Sequence, residues 1–508
     1  MNSNNFNNSW NQSGTTRTSG QSGYDGTNDA WKIERDGAAG LAFIHQTIST
    51  TGVHTQSIYA KANTEDWIYL QDTGTGGGNG YFDLVNGVAG TTTGIDASID
   101  LVGDGWYRIQ VVGNRTASGN IRVFVAKANG NLTVTGSIYI QDSQFEAGLV
   151  ATDVMTSGSV SAQAGILEDM PRIDYTSGTG ALLLEGLRTN SLAHSEYLLN
   201  YSVFGTSPTR TTNYGISPEG VKNSTRIQLD NGDLFGRSPS LSSNTYTFSL
   251  FAKNIEGGGN VIQLRFDIPA TKYAEFDLSD GTLVQSTTDD EGIEDYGNGW
   301  YRCYITMNSS TISNIVVSRP NGSSLDCEVF GLQMEIGSYP TSYIPSYGSA
   351  VSRSADDCEI STLNSGILGT GKGSFYLEGY VNTLDGNGII PLTAGTSIQN
   401  LFYIWIRTSG TLQIEWYQGG GLQASLQTSA DTLNVGDSFK IGVAYQNNDF
   451  VAYLDGNQIA FDSSGTAPNP TSLQLGQYTS GAYKGGALHK TIVFPTRLTN
   501  TELAALTA

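Results

Sequence analysis

The side chains best suited to chemistry lie in two alternating runs between residues 401 and 417. In the first, Phe402, Ile404 and Ile406 fall on one face, and Tyr403, Trp405 and Arg407 on the other. In the second, Leu412, Ile414 and Trp416 repeat the apolar face, with Gln413, Glu415 and Tyr417 opposite. If the runs are neighbouring strands, their second faces gather aromatic rings, a guanidinium and a carboxylate. Flat rings stack on a pyranose, while the charged and hydroxyl groups satisfy its hydroxyls. Tyr403, Trp405, Arg407, Glu415 and Tyr417 are therefore the candidate carbohydrate-binding set. The plainer alternative is a face packed against another domain or subunit.

Two more Trp–Arg pairs, Trp106/Arg108 and Trp300/Arg302, sit two residues apart and so share a strand face. They read either as sugar platforms or as a tryptophan covering a sheet with an arginine stacked on it. Asp25, Asn28, Asp29 and Asp142 offer the oxygen ligands that calcium takes, but these residue types also serve turns, and no metal site is assigned. Catalysis lacks its groups. Glycoside hydrolysis needs two facing carboxylates, and Glu415 has no acidic companion on its strand or the next. His45, His54, His194 and His489 are scattered without triad or metal-ligand spacing. The expectation is a non-catalytic protein with no cofactor.

The elements that carry these residues come in duplicate. Asp104-Gly105-Trp106-Tyr107-Arg108 matches Asn298-Gly299-Trp300-Tyr301-Arg302, each a tight turn feeding a strand. Tyr59-Ala60-Lys61 matches Phe251-Ala252-Lys253, Phe82-Asp83-Leu84 matches Phe276-Asp277-Leu278, and Gln144-Phe145-Glu146 matches Gln333-Met334-Glu335. Asp142 falls opposite Gly331, so any calcium site would be confined to the first copy. The matches keep their order at roughly 190 residues, far beyond a solenoid period, so they mark two whole domains in tandem.

At 508 residues the chain has room for about three domains, each with its own core. There are 63 glycines, charged residues make up only 14%, and short alternating runs abound, which together indicate an all-β chain. A net charge of −21 argues against nucleic acid and anionic membranes as partners. No apolar run is long enough to cross a bilayer, and the first residues lack the basic and apolar regions of a signal peptide. Cys303, Cys327 and Cys358 lack metal-ligand spacing, and Cys303 sits on a predicted core face, which favours buried thiols over disulfides.

In chain order, a first β-sandwich occupies 1–150, opened by Phe6 and Trp10, with Asn79-Gly80 and Asn129-Gly130 as hairpin turns or loops. A connector spans 151–190, and its apolar part, Met170 to Glu185, packs as a β arm. A second sandwich spans 191–360. From 361 to 508 a different sandwich begins, with strands at 401–407, 411–417, 439–446, 449–454 and 458–462. It ends in a short helix capped by Thr499 and Glu502.

The repeated motifs, with Tyr339-Pro340-Thr341-Ser342-Tyr343-Ile344-Pro345 and Ser352-Arg353-Ser354-Ala355-Asp356, resemble the carbohydrate-binding-module-like jelly rolls of bacteriophage tail-fibre and other virion proteins. The connector Pro171-Arg172-Ile173-Asp174-Tyr175 through Leu182-Leu183-Leu184-Glu185 is similar to a segment preceding such modules. Residues 361–508 resemble a laminin-G or concanavalin-A-like lectin domain, through Gly442-Val443-Ala444-Tyr445 and Ala452-Tyr453-Leu454-Asp455-Gly456. The resemblance implies tandem jelly rolls followed by a lectin-like sandwich, in a virion appendage that binds host surface glycans. A purely structural capsid or tail decoration protein is the alternative. It further implies other virion proteins as partners, a homotrimer, and a structural calcium as an option in the first jelly roll; the missing signal peptide and cysteine framework point to synthesis in the host cytoplasm.

Overall fold

The computed structural model describes the chain apart from residues 1–2, 8–9, 36–39, 133–134, 158–170, 207, 240–241, 268–270, 310–311, 364–366, 385–387, 479–481 and 484. Met170, where the packed arm was expected to begin, lies outside the described residues. The architecture is all-β: tandem jelly-roll sandwiches, then a concanavalin-A/laminin-G-like sandwich. Contacts divide the chain into two compact units. One comprises 1–167 with 189–351, the other 168–188 with 352–508.

The first unit holds both copies of the repeat, each built as two six-stranded sheets. Counting strands within each copy, both give the orders 1-4-11-6-7-8 and 2-3-12-5-10-9. In the second sheet the fifth strand (Gly52–Ala62; Asn244–Asn254) lies between the tenth (Trp106–Arg115; Trp300–Ser309) and the twelfth (Ser137–Ala147; Leu325–Ile336). Period-two alternation sends Ile58, Ile109, Val111 and Ile140 inward to meet Ile44, Leu70, Phe82 and Val123 from the facing sheet. The equivalent core of the second copy includes Phe248, Leu250, Cys303 and Ile305 against Ile262, Leu264, Phe276 and Val317. Phe6 and Trp10 lie buried in the first core, ahead of the first strand Asn11–Ser13.

The paired turns explain the strongest motif. Asp104 and Gly105 have φ of 50° and 76°, and Asn298 and Gly299 54° and 79°, the two left-handed residues of a type I′ hairpin. Asn129-Gly130 turns as expected, with Gly130 at φ 76°. Asn79-Gly80 does not turn: it opens the strand Asn79–Asp83, and Gly80 leaves room for the Phe82 ring, which a Cβ would approach to 2.8 Å. Residues 73–78 make that reversal instead, with Gly77 N donating to Gly74 O.

Within this unit the two copies meet around Tyr347 and Tyr197, which pack on Val53, Ile95, Val112 and Leu149. Val53 N donates to Tyr347 O at 2.6 Å, and Asn213 Nδ2 donates to Asp96 Oδ2 at 2.7 Å and Leu149 O at 3.0 Å. Behind this seam lies Glu196, 1% exposed, accepting from Tyr347 Oη at 2.8 Å, Tyr343 Oη at 2.9 Å and Asn223 Nδ2 at 3.1 Å.

The second unit is a sandwich of one seven-stranded and one six-stranded sheet. It takes in the arm, expected to pack on a neighbouring domain or subunit, together with residues 352–360. The arm is a hairpin, Arg172–Asp174 and Ala181–Leu184, whose second strand pairs with Gly486–Phe494. The motif residues either side of the second jelly roll converge here. Glu185 accepts from Arg353 at 2.7 Å and pairs with Arg172 at 3.1 Å, and Asp356 accepts from Arg172 and, at 2.7 Å, from Glu185 N. The closing helix Asn500–Thr507 has the expected capping box, with Glu502 N donating to Thr499 Oγ1 at 3.2 Å and Thr499 N to Glu502 Oε2 at 2.7 Å.

Candidate functional site

The six-stranded sheet of the second unit runs Cys358–Ile360, Leu473–Leu475, Ile389–Ser397, Asn400–Ile406, Leu412–Gln418, Gly421–Gln427. Phe402, Ile404, Ile406, Leu412, Ile414 and Trp416 are fully buried between the sheets. This fixes the other face. Cross-strand register sets Tyr403 opposite Glu415 and Trp405 opposite Gln413, so the five candidates do come together.

They divide into a buried support and a half-exposed rim. Glu415 is 8% exposed and accepts from Tyr403 Oη, Tyr417 Oη (2.8 Å), Gln413 Nε2 and Ser425 Oγ (3.4 Å). Tyr403 is 4% exposed, with the Tyr478 ring edge-on at 5.1 Å. Burial, then the Glu415 carboxylate, raise the Tyr403 and Tyr417 hydroxyls above their ordinary values, so both remain donors at neutral pH. Tyr403 and Glu415 are buried beneath the others, with Glu415 accepting from Tyr403, Tyr417 and Gln413. Trp405, Arg407 and Tyr417 are half-buried and form the rim. The Arg407 guanidinium lies over the Trp405 ring, 4.2 Å from its centroid, and its Nε donates to Gln413 Oε1. Arg407, Gln413, Glu415 and Tyr417 are thus one hydrogen-bonded chain.

Sequence reasoning missed Tyr478 and Ser425. Ser425 sits on the expected strand face, across from Glu415. Tyr478 belongs to a two-residue strand, too short for any periodicity to flag.

The Trp–Arg pairs of the jelly rolls are not platforms. Trp106 is 2% and Trp300 3% exposed. Trp106 packs with Ala30 and Tyr59, and Trp300 with Phe251 and Phe330. Their arginines grip the segment that leaves each module: Arg108 donates to Thr152 O, and Arg302 to Thr341 O at 2.6 Å. The repeated Gln-X-Glu completes the grip. Glu146 accepts from Thr152 N at 3.0 Å and Glu335 from Thr341 N at 2.8 Å, while Gln144 and Gln333 hold Met155 N and Ile344 N.

The oxygen-rich cluster of the first module is hydrogen-bonded within itself. Among the described residues no three His, Cys, Asp or Glu side chains converge as metal ligands. The Gln141 amide stands between two of the carboxylates, donating to Asp29 Oδ1 at 2.7 Å and Asp25 Oδ1 at 3.2 Å. Thr27 Oγ1 donates to Asp25 at 2.7 Å, and Tyr24 Oη to Asp142 at 3.0 Å. Asn28 is an exposed residue of the same loop. Asp142 and its counterpart Gly331 have φ of 45° and 64°, each beside a break in the register of the twelfth strand. What the two share is a left-handed bulge residue, which Asp and Gly both supply.

Cys303 and Cys327 are buried free thiols, raised by that burial, and Cys358 is free and half-buried. His194 is pushed down to about 4 by burial and by Arg237.

No protein-family model matches the chain, and no curated protein matches it. Among solved structures, a native heptameric SAP-like pentraxin from Limulus polyphemus aligns with 27% of this chain and 70% of its own, at 10% identity and TM-score 0.23. The CBM40 of a Ruminococcus gnavus IT-sialidase, bound to alpha2,3 sialyllactose, aligns with 28% and 84%, at 16% identity and TM-score 0.24. A toad ovary galectin in complex with N-acetylgalactose aligns with 27% and 96%, at 12% identity and TM-score 0.20. At these scores the alignments carry no weight for function, which rests on the chain's own geometry.

Proposed function

We propose that the chain is a non-catalytic glycan-binding protein, an appendage of a bacteriophage virion such as a tail fibre or adhesin, that engages host surface sugars through its C-terminal sandwich. The observation that carries this reading is the half-exposed Trp405, Arg407 and Tyr417, with Tyr417 bonded to the buried Glu415 and Arg407 to the Gln413 amide that Glu415 also holds. Rigid aromatic and guanidinium groups on a strand face recognise a sugar at little entropic cost. A satisfied Glu415 is a supporting group and not an acid or nucleophile, which supports binding without turnover. The phage assignment rests on the sequence motifs of the jelly rolls and arm. In this reading the protein is made in the host cytoplasm, joins other virion proteins, and presents several copies, as a homotrimer, so that weak single contacts add.

The test is a glycan array together with whole-cell binding, wild type beside Trp405→Ala, with thermal melts to show that the variant folds. Binding by the wild type that the variant loses supports the assignment. A wild type that binds neither glycans nor cells refutes it and leaves the decoration role.

A further inference from the structure

The chain carries 47 acidic against 26 basic side chains, so an arginine without an anionic partner is conspicuous. Arg115, Arg172, Arg226, Arg265, Arg353 and Arg497 pair with carboxylates. Arg17, Arg108, Arg210, Arg302 and Arg319 donate to main-chain carbonyls. Arg407 does neither, and nor does Arg122, whose Nη1 is tied to the Gln71 amide oxygen and whose plane lies over Phe43. The Nε of Arg407 is tied to a neutral amide, its plane is backed by Trp405, and its two terminal nitrogens have no partner among the described residues and are not enclosed. The nearby carboxylate, Glu415, is occupied by its own donors.

A guanidinium fixed at Nε and stacked on an indole presents its remaining edge as a two-pronged donor. The group that matches this edge is a planar oxyanion, which accepts two parallel bonds. Since Arg407 lies over Trp405, the indole serves as its back plate. We propose that this face binds an acidic saccharide whose carboxylate is held by the terminal nitrogens of Arg407. The inference rests on the glycan-binding reading and narrows it to a substrate class. The protein's charge of −21 sharpens it further. A densely charged polymer is repelled by the summed field, whereas one carboxylate within a Debye length of Arg407, about 8 Å at physiological salt, responds to the local cation. A sparsely charged glycan ending in a uronic or sialic acid fits; a polyanion does not.

The experiment measures affinity of the full chain for matched oligosaccharides at physiological salt. Each neutral sugar is compared with its counterpart bearing a terminal carboxylate, with the methyl ester of that carboxylate, and with a phosphate or sulfate ester. The carboxylate form is expected to bind about tenfold or more tighter than the neutral or methyl-ester forms, as a charge-assisted bidentate pair allows. Arg407→Gln is expected to erase that difference, and Arg407→Lys to restore part of it. Equal binding of neutral and acidic forms overturns the inference while leaving glycan binding intact. A preference for phosphate or sulfate over carboxylate also overturns it. Binding to no sugar at all overturns both readings. Because the ester comparison varies the ligand alone, the outcome does not depend on the variants folding.

Discussion

Replacing Glu196 by glutamine should change how the stability of the first unit depends on pH. Burial, and then the nearby Glu219 carboxylate, push Glu196 up to about 8. Glu219 is itself raised by burial, and both accept from the single Asn223 amide nitrogen, at 3.1 Å and 3.2 Å. Glu146 adds a further negative charge facing Tyr347. The folded value lies above the unfolded value of 4.5. Between these limits the unfolded chain gives up its proton while the folded chain keeps it, so stability falls as pH rises from about 4.5 to about 8 and then levels off. At 1.36 kcal/mol per unit, a span of about 3.5 units sets a ceiling of about 5 kcal/mol, reduced where Glu219 shares the proton.

Glutamine keeps the shape and removes the titration. Asn223 Oδ1 is buried without a partner, so rotating that amide offers an acceptor to the new side-chain NH2 while both tyrosines still donate to its oxygen, in exchange for the bond Asn223 Nδ2 makes to Glu219. The variant should be within about 1 kcal/mol of wild type near pH 5. Near pH 9 it should be the more stable by several kcal/mol, or about 2 °C of Tm for each kcal/mol in a body of this size. The assay is calorimetry of both proteins at pH 5 to 9, following the transition that contains the jelly rolls. Two Tm curves that run parallel across that range would refute the reasoning, because the buried pair would then hold no proton beyond what the unfolded chain holds.

Three further outcomes follow from the packing. Glu185→Ala leaves Arg172 and Arg353 without their shared partner and should destabilise the C-terminal unit by about 3 kcal/mol in denaturant titration. Asp142→Gly places the second module's residue at the same left-handed bulge, so Tm should move by no more than about 1 kcal/mol equivalent, alike with calcium and with chelator. A calcium-dependent loss would restore the metal reading. Thr499→Ala removes the helix cap and should cost about 1 kcal/mol, seen as faster amide exchange over residues 500–507.

Much of the fold was legible because alternation is a local property. Phe402, Ile404 and Ile406 face inward for the same reason that Tyr403 and Trp405 do not, and the I′ turns at Gly105 and Gly299 announce themselves in two residues each. What covers the second face of a sheet is not local. Tyr403 is screened by Tyr478 from a later strand, and Trp106 packs with Tyr24 and Val154, far from it along the chain. Asn79-Gly80 misled because a glycine serves a close side-chain approach as readily as a turn.

The three Trp–Arg pairs show where sequence ends and structure begins. Each sets an arginine two residues after a tryptophan on one strand face, and in the sequence they are equivalent. In the jelly rolls a segment with a free carbonyl crosses that face, so Arg108 finds Thr152 O, Arg302 finds Thr341 O, and the motif becomes a clasp that closes the module. Over the C-terminal sheet the Gln413 side chain holds Arg407 by Nε, and among the described residues the rest of the guanidinium edge has no partner beside the Trp405 ring. Residue type supplies the capacity to bind an oxyanion or a carbonyl. Whether that partner is a carbonyl of the same chain depends on the path of the segment that leaves the module, as it does for Arg108 and Arg302.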